Sequence, residues 1–300
     1  MLDWQTTLPI SKPAILIVPA LLFLVIGALD RRLRGAGTSL WEHLFPRRIY
    51  RAQANAIGRF NYVLSLSLLF KGAGGVSAML LAQTLIAPAA APATALLAVT
   101  VQVLCVWLAH DLGNYCQHWL QHRSAFLWRF HRPHHAVEAL TPFVQVQGHP
   151  IDLLIGMAVA FPFTFAGAAL GLWLSGGSFG AGALAGLAVV AGIEQLKGAL
   201  GHSHLAISFG WWNRLVLAPV MHQLHHSAEI EHRDCNLGST FGLWDWMFGT
   251  LYVPVREETW RLGLDPALLG EDNPYQSVAD IYLEPLGLRG EAKRADEQPA

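Results

Sequence analysis

The sequence predicts an all-α integral membrane bundle of about four to five spanning helices, with a helical cap on one side of the bilayer. Of its 300 residues, 53% are hydrophobic and only 14% are charged, whereas soluble domains carry about a quarter charged residues. The apolar residues gather into long runs separated by short polar connectors, as membrane helices require. The cap is signalled by histidine: 13 of 14 fall within residues 110–149 and 202–232, windows that hold 71 of the 300 positions. Even scatter would place about three histidines there.

Residues 13–29 (PAILIVPALLFLVIGAL) form the first apolar run, followed by Arg31, Arg32 and Arg34. The positive charges come after the run and no small-residue cleavage motif follows, so a membrane helix is expected rather than a signal peptide. The connector 35–59 carries Arg47, Arg48, Arg51 and Arg59, and the positive-inside rule puts it in the cytoplasm. Residues 61–88 and 93–112 read as a helical hairpin turning at Ala87–Pro92, with Lys71 and the Gly72–Gly75 stretch interrupting the first arm. Residues 151–174 and 179–198 read as a second hairpin around Ser175–Ser178, with Glu194 and Lys197 spaced to pair at i,i+3. The segments 113–149 and 201–260 then face the same, cytoplasmic side. Five crossings result, or four and one half-inserted element. We divide the chain into membrane helices and basic connector (1–104), a catalytic domain that includes the second hairpin (105–260), and a polar C-terminal cap and tail (261–300). The expected location is a bacterial inner membrane, with the active site facing the cytoplasm.

A formal net charge of −1 makes nucleic acid a poor partner. Cys105, Cys116 and Cys235 form no CxxC pair, which gives neither a disulfide framework nor a zinc ribbon.

The chemistry lies in the histidine spacing. His118 and His122 are i,i+4 on one helix face, with Asp111 and Tyr115 on the same stripe. His131-Arg-Pro-His134-His135 and His222-Gln-Leu-His225-His226 repeat one HxxHH spacing about ninety residues apart; Pro133 suits the first turn of a helix, and Pro219 lies just ahead of the later box. Between them lie His149 in Gly-His-Pro and His202 and His204 in Gly-His-Ser-His. Neutral imidazole suits iron and zinc, and also copper and nickel. Eight box histidines exceed the four ligands of one tetrahedral ion, but they suffice for two ions with open positions. Candidate ligands are therefore His118, His122, His131, His134, His135, His202, His222, His225 and His226. His149 and His204 are candidates either as ligands or as supports of ligand rings. His110 and His232 read as supports, and His43 as a surface residue. Asp111, Asp152, Glu138, Asp234 and Asp245 are the carboxylates available to hold imidazole N–H groups. Trp128, Trp211 and Trp212 read as an interfacial aromatic belt, with the mouth of a substrate site as the alternative.

The stretch from Asp111 and Tyr115 through the His118/His122 and His131–His135 boxes resembles the core of the fatty acid hydroxylase/sterol desaturase superfamily. So do Leu140-Thr-Pro142, His149-Pro150, His202-Ser-His204 and the run from His222 through Asn236 to Trp244-Asp245…Phe248-Gly249-Thr250. The chain departs from the family pattern at Cys116, Gln147 and His204. The resemblance implies an iron pair (zinc being able to occupy such sites in purified protein), O2 as co-substrate and an external electron donor such as a ferredoxin or small haem protein. It further implies hydroxylation or desaturation of a lipid C–H bond, and makes Asp111, Tyr115 and Asn236 the candidate catalytic residues. A non-enzymatic metal transporter or sensor is the competing class, but transporters place ionisable ligands near the membrane midplane, whereas these boxes fall outside the apolar runs. A bis-histidine haem carrier would need fewer histidines, and no HExxH of a metalloprotease occurs.

Overall fold

In a computed structural model the chain is helical, with no strand among the described residues, which are 12–51, 58, 67–87, 94–255, 258–265 and 273–288. In chain order the helices are α1 (Lys12–Leu33), α2 (Leu40–Leu44), α3 (Arg47–Tyr50), α4 (Ser67–Leu85), α5 (Ala95–Arg123), α6 (Ala125–His135), α7 (Pro150–Ser175), α8 (Ala181–Gly201), α9 (Pro219–His225), α10 (Leu243–Phe248) and α11 (Val278–Leu283). Among the described residues, α5, α7 and α8 are long and apolar enough to cross a membrane. The expected turn at Ala87–Pro92, the first part of the 61–88 arm and the tail beyond 288 fall largely outside the described residues.

At 1.5 Å per residue the 29-residue α5 is about 44 Å long, well beyond the roughly 30 Å hydrocarbon layer. Its C-terminal turns, which carry His118 and His122, therefore extend past the apolar region. The hairpin arms do not pair mainly with each other. The most extensive packing is α5 against α7, followed by α4 against α7, while α8 packs against α1. Small residues explain the α5–α7 choice, because helices approach closely where side chains are absent. A Cβ on Gly167 would overlap the Cys105 carbonyl and lie 2.6 Å from the Ala109 Cβ, and one on Gly171 would lie 3.0 Å from the Gln102 Cα. Polar links tie the pair at two levels: Gln102 Nε2 donates to Ser175 Oγ at 2.9 Å, and His110 Nδ1 meets Thr164 Oγ1 at 2.8 Å.

On the other side of the bundle, Phe23 of α1 and Leu44 of α2 share a core with Leu200 and Leu205. Arg34 Nη2 donates to the Ala206 carbonyl at 2.7 Å. The basic connector thus lies beside the second histidine window. His43, expected on the surface, is half-buried and bonds Asp30 Oδ2 through Nε2 at 3.1 Å. Lys197 donates to the carbonyls of Ser239 and Thr240 at 3.1 and 2.7 Å, fastening α8 to the loop that follows the third box. The described part of the C-terminal segment packs on α6: Tyr275 and Ile281 share a core with Ala136, and Arg132 donates to Tyr275 and to Glu284, each at 2.7 Å.

Candidate metal centre

The two histidine windows meet. His118 and His122 come from the extension of α5, His131, His134 and His135 from the last turns of α6, His202 from the end of α8, and His222, His225 and His226 from α9 and its C-cap. Pro219 sits in the first turn of α9 as its ring prefers. Pro133, expected in a first turn, lies instead near the C-terminal end of α6.

These nine rings form two groups. His118, His122, His131, His135 and His225 make one, and His134, His202, His222 and His226 the other; within each, one nitrogen per ring lies within 4.8 Å of all the rest. The groups share a wall, with ring centroids 4.6 Å apart for His135 and His226 and 5.3 Å for His131 and His134. All nine are candidates from the sequence. His149 and His204 stand outside both groups. His149 caps α7 by accepting the Ile151 N–H on Nδ1 at 3.1 Å, so its Nε2 carries the proton and donates to the Tyr282 carbonyl at 3.1 Å. His204 donates through Nε2 to the His43 carbonyl at 2.7 Å, on the side of the connector.

Whether these rings fit metal ions is decided by their tautomers. A carbonyl or carboxylate only accepts, so a ring nitrogen facing one must carry the hydrogen. His118 Nδ1 donates to Leu237 O at 2.8 Å, His225 Nδ1 to Cys235 O at 2.7 Å, His134 Nδ1 to Gln147 O at 2.9 Å and His202 Nδ1 to Gly198 O at 2.8 Å. His122 Nδ1 donates to Asp234 and His131 Nδ1 to Asp152, at 3.1 and 3.2 Å. In the neutral form of such a ring, Nε2 is then a bare acceptor. Yet His118 Nε2 lies 3.1 Å from the Nε2 atoms of both His131 and His225, and His134 Nε2 lies 3.2 Å from that of His202. Lone pairs facing each other at this distance repel unless a cation takes both. Two nitrogens about 2.1 Å from one ion lie about 3.0 Å apart at a right angle and about 3.4 Å apart at a tetrahedral one. The observed spacings are close to the former. His122 Nε2 and both ring nitrogens of His226 are also buried without a hydrogen-bond partner; a metal bond would relieve His122 Nε2 and one nitrogen of His226. Burial, and then the neighbouring imidazoles, hold His134, His135, His222 and His226 well below the ordinary histidine value, which keeps them in the neutral form that binds metal. The clusters are compatible with a metal site.

One loop supplies three of the six acceptors. Asp234 and Asn236 adopt the left-handed conformation, with φ of 57° and 54°, which Asp and Asn tolerate better than most residues. Residues 234–237 thereby offer the Asp234 carboxylate to His122, the Cys235 carbonyl to His225 and the Leu237 carbonyl to His118.

The three candidate catalytic residues make their contacts in and around the stretch 236–252 that follows the third box. Asp111 is fully buried and accepts from Thr240 N, Phe241 N and Trp244 Nε1 at 2.8, 3.1 and 2.9 Å. Tyr115 bonds Thr250 Oγ1 at 3.0 Å and stacks on Phe248. Asn236 donates to Met221 O and accepts from Tyr252 N at 3.2 and 2.9 Å. Asp245 joins them, accepting from Leu237 N and Gly238 N at 2.7 and 2.8 Å. Asp111→Ala would strand buried N–H groups, and should lower stability by about 3 kcal/mol. Denaturation in detergent measures this, and an unchanged midpoint would refute the fastening role.

Of the other carboxylates, Asp152 and Asp234 hold rings as expected, while Glu138 meets Asn273 at 3.5 Å. His232 sits between Ser227 Oγ and Glu258 Oε1, both at 2.9 Å, a support as expected. Trp128, expected in an aromatic belt, packs on the site with its ring 5.0 Å from His122 and 5.3 Å from His135. Trp211 and Trp212 are exposed. The sequence reading missed the relay Gln117 to Gln121 to Asp152, in which Gln117 Nε2 donates to Gln121 at 2.7 Å and Gln121 donates to the carboxylate that holds His131. Its signal was present as a second i,i+4 stripe beside His118 and His122.

Residues 103–250 match the family model for fatty acid hydroxylase. The chain belongs to the fatty acid hydroxylase/sterol desaturase superfamily. The match runs from the middle of α5 to the Thr250 that Tyr115 contacts, so it takes in both histidine groups and the loop that supports them. Membership, the histidine clusters and the apolar helices together make the chain a metal-binding membrane protein of an oxidoreductase family. No curated protein and no solved structure matches the chain.

Proposed function

We propose that the chain is a di-iron oxygenase that hydroxylates, or by the same chemistry desaturates, a C–H bond of a membrane lipid such as a fatty acyl chain or a sterol-like molecule. The observation that carries this reading is the pair of contiguous all-imidazole groups, five rings and four, in which six rings are held from behind at Nδ1 by protein oxygens and so turn Nε2 towards the other rings. Two iron ions bound there would supply, with O2 and electrons from a small redox protein, the oxidising power for C–H cleavage. Five and four ligands both leave room on a six-coordinate ion.

The protein's own part is positional. The carbonyls of Gly198, Gln147, Cys235 and Leu237 fix ring orientation and tautomer. Asp152 and Asp234 add negative charge behind His131 and His122, which makes those rings better donors to a cation. Trp128 covers one side of the five-ring group and limits water there. Cytoplasmic placement, in a bacterial inner membrane, is supported by the arginine-rich connector, whose His43 carbonyl accepts from His204 in the second histidine window.

Iron-loaded protein given reductant, O2 and extracted lipids should yield a lipid that has gained one oxygen or lost two hydrogens by mass spectrometry. Metal-dependent flux into proteoliposomes without lipid oxidation would replace this reading by transport. Asp152→Asn keeps the shape but removes the charge behind His131, and should weaken metal binding by about 10- to 100-fold. A competition titration with a chelator reads this, and unchanged affinity would sever Asp152 from the site.

A further inference from the structure

A cavity of ≈ 330 Å3 reaches the five-ring group, where the rings of His122, His135 and His225 form part of its wall. Its remaining surface combines aromatic side chains, Phe126 and Trp128, with charged ones. Most of those charges are answered. Arg132 is bound to Glu284 at 2.7 Å, Arg233 to Asp265 at 3.3 Å, Glu229 to Arg261 at 3.1 Å, and Asp234 to His122 at 3.1 Å. Arg129 is exposed and, among the described residues, has no carboxylate partner. It lies on α6 next to Trp128, whose ring packs against His122 and His135. The unanswered guanidinium therefore lines the same cavity as Trp128, Phe126 and the histidines, and Phe126 leaves a large apolar side chain exposed.

We infer that this cavity takes a long hydrocarbon chain ending in a carboxylate, that Arg129 receives the carboxylate, and that Trp128 and Phe126 line the path of the chain to the five-ring group. The inference deepens the lipid-oxidation reading and rests on it for the identity of the chain as substrate. The guanidinium fork matches a carboxylate with two parallel hydrogen bonds, which a neutral ester cannot return with the same strength. The aromatic faces accept methylene groups without asking for a polar partner.

The probes are cis-parinaric acid and its methyl ester, titrated by their fluorescence into metal-loaded protein in detergent. The wild type should bind the acid about tenfold more tightly than the ester. Arg129→Gln should erase that preference by weakening the acid while leaving the ester's Kd unchanged, which also shows that the variant keeps its fold. Equal affinity of the wild type for acid and ester, or an unchanged acid affinity in Arg129→Gln, would overturn the assignment. Displacement of the acid by millimolar inorganic phosphate would overturn it in favour of a soluble anion. Metal content, measured on the same samples, tests the dimetal reading by a separate readout, so its failure would not be confused with loss of the Arg129 preference.

Discussion

His225→Ala should abolish lipid oxidation and lower the bound metal. The His225 ring lies 4.6, 4.8 and 4.7 Å from those of His118, His122 and His135, at the middle of the five-ring group. It is also fixed from behind, by the Cys235 carbonyl at 2.7 Å. Removing it takes away one nitrogen donor and leaves the His118 Nε2, 3.1 Å away, without the ion that both would share. Loss of a residue that merely orients a ligand costs about 10- to 100-fold in metal affinity or activity, and loss of the ligand itself should exceed that. Elemental analysis of purified protein and turnover under reductant and O2 check the two halves of the prediction. A variant with full metal content and undiminished turnover would remove His225 from the centre, and with it the assignment of the five-ring group. His149→Ala is the control: it should cost helix-cap stability at α7, on the order of 1 kcal/mol, and leave metal content unchanged.

Gly167→Leu should be the most damaging change far from the histidines. A Cβ at this position already overlaps the Cys105 carbonyl and comes within 2.6 Å of the Ala109 Cβ. Backbone cannot yield as a side-chain tip can, so α7 would have to withdraw from α5. That displacement would reach the site, because α5 carries His118 and His122 while the start of α7 carries Asp152, which holds His131. Overpacking of this kind costs about 3 kcal/mol. The thermal midpoint in detergent should fall and metal content should fall with it. Gly37→Leu, where nothing lies within 4 Å of the added carbon, gives the reference for a glycine with room to spare. If the two variants melted together, close approach of α5 and α7 would not be what Gly167 provides.

Much of this protein is written locally. Membrane character follows from composition and run length, because a helix in lipid must satisfy its backbone internally and cover itself with apolar side chains. Eight of the nine grouped histidines were legible because ligand spacing on a helix is a local property: i,i+4 in one box and HxxHH in two others place imidazoles on common faces before any tertiary contact forms. Their convergence from two distant windows was foreshadowed by the topology, which set both on one side of the bilayer.

Roles that depend on what lies across the chain were not legible. Asp111, Tyr115 and Asn236 read as chemistry because they are polar residues beside a histidine box, yet each is bonded to protein atoms fifteen or more positions away. His149 and His204 have the right side chain, but a helix cap and the Tyr282 carbonyl claim both nitrogens of the first, and a carbonyl of the connector claims Nε2 of the second. Nor could the sequence pair α5 with α7, since a small residue marks close approach only once its opposite number is known. The sequence by itself determined the membrane character and supplied the nine imidazoles that the two groups draw on. The tertiary structure decided which imidazoles share a centre and which polar residues only hold it, because a ring's usable nitrogen is the one its neighbours in space have left unprotonated.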